Sequence, residues 1–279
     1  HRDAGSGDGR GQLSRAALYL ALIDFFKAAR APDPGHSALC CLDYFEQRSG
    51  LLVADSGDTY AFAHLTLQEH GAGRYLAVQS EEPAGLLLKH RADDRWREPI
   101  MLGAGLLRPG DLNTLLADLI DREEANEPKP GARWYRDLIF AAEIGQDRDW
   151  NLLRTRPAVK VERLQRELRA GLVALLADKA QPLPVAERVR AGFLLGHLGD
   201  PRYPVTLDDW WRELAKVQAG DTSGYFCKVG AGTYPIGSAD DDPEANDNEK
   251  PQHQVTFDAP FWIGRYPVTN EQWWMWASE

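Results

Sequence analysis

From Ser14 onward the apolar side chains Leu18, Leu22, Phe25 and Phe26 return at helical spacing and stop before Pro32-Asp33-Pro34. That pattern predicts a helix closed by a proline-bounded turn. A short second helix is expected from Ser37 through Phe45. The period then changes. Leu51-Leu52-Val53 and Tyr60-Ala61-Phe62 are short strand-like runs, and Asp55-Ser56-Gly57-Asp58 between them is hairpin-turn chemistry. Leu65 to Val78 returns to helix. Ahead of all this, Asp3 to Gly11 hold four glycines and no apolar side chain beyond Ala4, the composition of a flexible lead-in.

Helices, a hairpin and a further helix together suggest a winged-helix module, the hairpin being the wing. From about Glu81 to Val205 the pattern is helical throughout. Leu112, Leu115, Leu116, Leu119 and Ile120 form one i, i+3, i+4, i+7, i+8 stripe, and Val161, Leu164, Leu168, Leu172, Leu175 and Leu176 form another. A third helix, Val185 to Leu198, carries Val189, Phe193 and Leu194 on one expected side and ends at Gly199-Asp200-Pro201. Such endings occur in stacked helical repeats. Thr206-Leu207-Asp208-Asp209 starts another helix with a cap and an acidic first turn. After Gly220 the chain turns to strand candidates: Tyr225 to Val229, Thr233 to Ile236, His253 to Phe257 and Phe261 to Val268. The helix-rich and strand-rich parts therefore read as separate domains, with a boundary near Ala219 to Ser223.

Composition narrows the function. At 279 residues, two or three domains are the prior, and a hydrophobic fraction of 43% with nine Trp is ample for burial. A formal charge of -10 argues against nucleic acid as a partner, because phosphate binding draws on clustered Lys and Arg. No apolar run reaches the roughly 18 residues of a membrane span. Three cysteines, with Cys40 and Cys41 adjacent, give neither a disulfide framework nor metal-ligand spacing, so a reducing cytoplasmic setting fits. Gly-x-x-x-x-Gly-Lys-Ser/Thr and His-Glu-x-x-His are absent, so this chain has no phosphate cradle of its own and no zinc site. It begins at His1 rather than Met and stops at Glu279 without a turn, and it reads as a fragment.

Two stretches carry a resemblance. Arg48-Ser49-Gly50-Leu51-Leu52, then Tyr60-Ala61-Phe62-Ala63-His64-Leu65-Thr66-Leu67-Gln68-Glu69, then Arg74-Tyr75-Leu76-Ala77 resembles the winged-helix end of NACHT-family STAND ATPases. Arg95-Trp96-Arg97-Glu98-Pro99-Ile100-Met101-Leu102 is similar to the helix that follows in such proteins. The sequence departs from the family at His70, where an aromatic is usual, and at Gly71 and Gly73, where Ala is usual. Each glycine should loosen the helix by roughly 0.5–1 kcal/mol relative to Ala. In NACHT proteins the histidine matching His64 reaches the β-phosphate of bound ADP and locks the resting state. The resemblance thus implies a cofactor-binding role for His64, against a plain reading as a hydrogen-bonded junction histidine.

The second stretch covers about Phe226 to Trp273. Gly232-Thr233-Tyr234-Pro235-Ile236-Gly237-Ser238, then Glu249-Lys250-Pro251-Gln252-His253-Gln254-Val255-Thr256, then Phe261-Trp262-Ile263-Gly264-Arg265-Tyr266-Pro267-Val268-Thr269-Asn270-Glu271-Gln272-Trp273 resembles the opening of a formylglycine-generating-enzyme-like domain. That domain type is similar to C-type lectins and serves in enzymes and in ligand-binding proteins. Its second half, which carries catalytic cysteines or a binding surface, is missing from this chain.

Local chemistry has bland readings beside these. The acidic loop Asp240 to Glu249 reads as a solvated surface loop rather than a calcium site, since its spacing is not that of an EF-hand. Trp262, Tyr266, Trp273, Trp274 and Trp276 read as core packing, with a ligand groove as the alternative. Trp210 and Trp211 are expected to seal the helical arm against the terminal domain, and Cys227 to be a small core residue.

The expectation is a mainly α chain (winged helix plus helical arm) followed by an incomplete mixed α/β C-type-lectin-like domain. The expected domains are a winged-helix end of a NACHT module over residues 1–80, a helical arm over 81–221 and a formylglycine-generating-enzyme-like part over 222–279. The implied function is regulation and ligand sensing in a bacterial defence or stress-signalling ATPase. An upstream module would use ADP and ATP, and this chain alone would hold no cofactor, no metal and no catalytic residue. The implied partners are a protein or peptide ligand, the upstream NACHT module and other copies on activation, without nucleic acid or membrane. Two alternatives stay open: a retroelement-diversified ligand-binding protein, and a formylglycine-generating-type oxidase whose catalytic half is missing here.

Overall fold

The computed structural model describes residues 11–54, 58–121, 129–180 and 182–277. The expected lead-in (except Gly11) and the turn residues Asp55 to Gly57 lie outside them. The chain is mainly helical, with a small strand-containing region near its C-terminus. It divides into two compact units, His1–Leu198 and Gly199–Glu279, so the last long helix, expected to end the arm, falls with the C-terminal strands.

The first unit opens with β1 (Leu13–Ser14) and α1 (Arg15–Ala28), whose cap is Ser14 Oγ accepting from Ala17 N at 3.2 Å. In α2 (Pro34–Tyr44), Asp33 accepts from His36 N at 2.9 Å, and Pro34 occupies the first turn, where its missing N–H costs nothing. Helix α2 runs on into one π-helical turn, Phe45–Ser49, ended by Gly50 at φ 59°. Strands β2 (Leu52–Ala54) and β3 (Thr59–Phe62) then pair antiparallel as the hairpin pattern predicts, Val53 opposite Ala61. Strand β1, which sequence periodicity did not reveal, adds to the other side of β3, giving the order β1-β3-β2. The π-turn brings Glu46 to accept from both the Tyr60 hydroxyl and Arg15 Nε, tying α2, β3 and the start of α1 together.

Helix α3 (Leu65–Val78) packs on α5 (Arg97–Ala104), with α4 (Pro83–Leu88) and a 3-10 turn at Asp94–Trp96 between them in sequence. The seam explains one departure from the family pattern. A Cβ on Gly73 would press into Pro99 O and come within 2.9 Å of Gly103 N, so glycine lets the two backbones touch. Gly71 meets nothing within 4 Å and has no such role.

The arm continues through α6 (Pro109–Asp121), α7 (Ala132–Asp147), α8 (Trp150–Arg154), α9 (Val161–Ala177) and α10 (Val185–Leu198). The α6 stripe is buried at every position, as is the α9 stripe from Val161 to Leu175. Helix α10 differs from expectation. Its buried face is Ala191, Leu194, Leu195 and Leu198, while Val189 and Phe193 are 53% and 69% exposed. Residues 189 and 191 lie about 200° apart on the helix wheel, so packing on α9 selects one set and turns the other out.

Helix α7 is the centre of this unit, buried continuously from Asp137 to Gly145. Two carboxylates go in with it. Asp137 pairs with Arg91 at 3.1 Å and Arg133 at 3.3 Å; Glu143 pairs with Arg97 from α5 and Arg190 from α10. The Arg97 guanidinium also lies 4.8 Å from the Phe140 ring centre. Burial, with Arg190 beside it, pulls the Arg97 pKa down from the ordinary arginine value.

The second unit starts with α11 (Leu207–Ala219), entered through a capping box between Thr206 and Asp209 and closed by Gly220 at φ 74°. Strand β4 (Phe226–Val229) pairs antiparallel with β7 (Phe261–Gly264), and β5 (Gly232–Ile236) with β6 (His253–Phe257). Strand β7 stops at Gly264 rather than reaching Val268, since Arg265 N makes a last bond to Tyr225 O and Pro267 has no N–H to continue. A short helix α12 (Asn270–Ala277), absent from the strand-based expectation, follows. Among the described residues no helix is long and apolar enough to cross a membrane.

Two stability measurements check this packing. Gly73→Ala should cost about 1–3 kcal/mol through overpacking, whereas Gly71→Ala should add roughly 0.5–1 kcal/mol; denaturant midpoints that move alike would refute the α3–α5 contact. Glu143→Ala should cost about 1–3 kcal/mol, because the half-buried Arg97 guanidinium loses its charged partner while Arg190 can turn to solvent, and combining Glu143→Leu with Arg97→Met should recover part of the loss.

Candidate functional site

The C-terminal unit is organised around Tyr225, only 4% exposed. Its backbone N donates to Glu213 Oε2 at 2.6 Å and its hydroxyl to Tyr266 O at 3.0 Å, while its carbonyl accepts from Arg265 N at 2.9 Å. One residue therefore joins α11, the start of β4 and the chain beyond β7. Burial works against ionisation of Glu213, but the Lys216 ammonium and the Tyr225 N–H outweigh it and hold the carboxyl below its usual pKa. Trp210 meets the Tyr225 ring edge-on with centroids 5.4 Å apart, and Tyr203 lies 4.8 Å from Tyr266.

Gln272 is the second anchor, at 0% exposure. Its Oε1 accepts from Thr269 N at 2.9 Å, and its own N donates to Thr269 Oγ1 at 3.2 Å, a reciprocal cap for α12. Its Nε2 donates to Pro204 O at 3.0 Å. Sequence reading passed over this residue, although Thr269-x-x-Gln272 is the capping-box spacing that reveals it.

Fixing α12 this way turns its tryptophans outward. Trp273, Trp274 and Trp276 are 64%, 67% and 61% exposed, so core packing does not hold for them; Trp262 and Tyr266 are half-buried. The helix has one buried position, and Gln272 occupies it. Trp211 is likewise exposed, while Cys227 is half-buried with a free thiol.

The β5–β6 hairpin ends in the acidic loop. Its side chains from Asp240 to Asp242 are exposed, and Lys250 Nζ ties the loop together through Asp240 O at 3.0 Å and Asp242 O at 3.2 Å. At its base, Ser238 N donates to Glu249 O at 2.8 Å, and an open pocket of about 500 Å³ lies among Ser238, Asn248, Glu249, Lys250 and His253. Among the described residues no group of three or more His, Cys, Asp or Glu side chains is placed to hold a metal ion.

His64 lies in the other unit, at the N-cap of α3 directly after β3. Its side chain is exposed and makes no capping bond to the helix. His64 therefore marks the N-terminal end of α3 without its imidazole capping the helix.

These positions make opposite demands on the same kind of experiment. Gln272→Ala should cost about 1–3 kcal/mol by leaving polar groups unpaired, whereas Trp273→Ser should stay within about 0.5 kcal/mol. Thermal unfolding of both variants checks the assignment, and a large loss for Trp273→Ser would show that this face is covered.

Comparison with known proteins bears on the same unit. Residues 213–279 match the family model of the sulfatase-modifying factor enzyme 1-like domain. The match begins at Glu213, the carboxylate that receives Tyr225 N, and runs through both strand pairs and α12. No curated protein and no solved structure matches the chain. The C-terminal part is thus formylglycine-generating-enzyme-like in sequence, as its ordered motifs imply.

Proposed function

We propose that this chain is the regulatory and ligand-sensing portion of a NACHT-type signalling ATPase acting in bacterial defence or stress signalling in the cytoplasm. The observation that carries the reading is His64. An exposed imidazole, free of any capping bond, stands at the N-terminus of a 14-residue helix directly after a hairpin strand. Backbone N–H groups and the helix dipole at such an end favour an anion, and an imidazole donor adds to them. A winged helix fits the β1-β3-β2 sheet with α2 and α3, and residues 1–80 would form the end of the NACHT module.

In this reading an upstream module binds and hydrolyses ATP, and His64 donates to a phosphate of ADP in the resting state. The helices from residue 81 to Leu198 form the arm, and the unit that starts at Gly199 carries a C-type-lectin-like sensor that recognises a protein or peptide. Ligand binding favours the open state, and a differential affinity of a few kcal/mol is enough to shift the population. Other copies then join on activation. The chain itself performs no catalysis.

The test is His64→Ala in the intact protein. Hydrogen bonds to charged groups contribute roughly 1.5–3 kcal/mol, so ADP affinity should fall by about one to two decades. Because His64 makes no capping bond, the melting temperature should hardly move. Unchanged ADP affinity by calorimetry would sink the proposal.

A further inference from the structure

We draw no further inference here: the strongest candidate, the exposed apolar face of α10 formed by Val185, Val189 and Phe193, has nothing in the structure to show what covers it.

Discussion

The helical unit depends on how α7 disposes of its two buried carboxylates. A helix buried on every side from Asp137 to Gly145 would ordinarily carry only apolar residues, because an unpaired charge in that environment costs several kcal/mol. Here each carboxylate meets two arginines. The arginines of Glu143 come from α5 and α10, far apart in sequence, and those of Asp137 come from the segment after α4 and from α7 itself. The ion pairs need not add net stability over an apolar core of the same shape. They do restrict which neighbours α7 accepts, since any other register strands a charge. The leucine stripes of α6 and α9 can then close around a helix whose position is already specified.

The C-terminal unit solves a similar problem with neutral groups. Two strand pairs with the helices α11 and α12 bury little apolar area, so backbone polar groups near Tyr225 and Gln272 need explicit partners. Tyr225 uses its backbone N, its carbonyl and its hydroxyl, and Gln272 uses both ends of its amide as well as its own N. The cost of this arrangement is visible on the surface: with α12 oriented by Gln272, its three tryptophans face solvent.

Much of the secondary structure was legible because it is local. The bounds of α3 match the predicted Leu65 to Val78, and the β2–β3 hairpin follows two β-rich runs separated by turn residues. The α6 stripe was legible because every apolar position on it is buried. Less was legible where several faces competed. In α10 the sequence offers two apolar sets, and Val189 and Phe193 look as good as Leu194 and Leu195 until a neighbour is present. The opening strand β1 is two residues long and has no period of its own; it exists because β3 has a free edge. Among the candidate site residues, His64 was singled out by its motif, whereas Glu249 and His253 appeared only within quoted runs. Their shared pocket depends on Gly237 allowing two backbones to meet.

The sequence by itself therefore determined the order and type of most elements, the acidic balance, and the formylglycine-generating-enzyme-like character of residues 213–279. Those properties follow from spacing, turn chemistry and side-chain inventory, which act over a few residues. The tertiary structure decided which face of α10 is inside, why Gly73 is a contact while Gly71 is not, and where the tryptophans of α12 point. These are outcomes of steric fit and hydrogen-bond satisfaction between segments distant in the chain, and no local pattern encodes them.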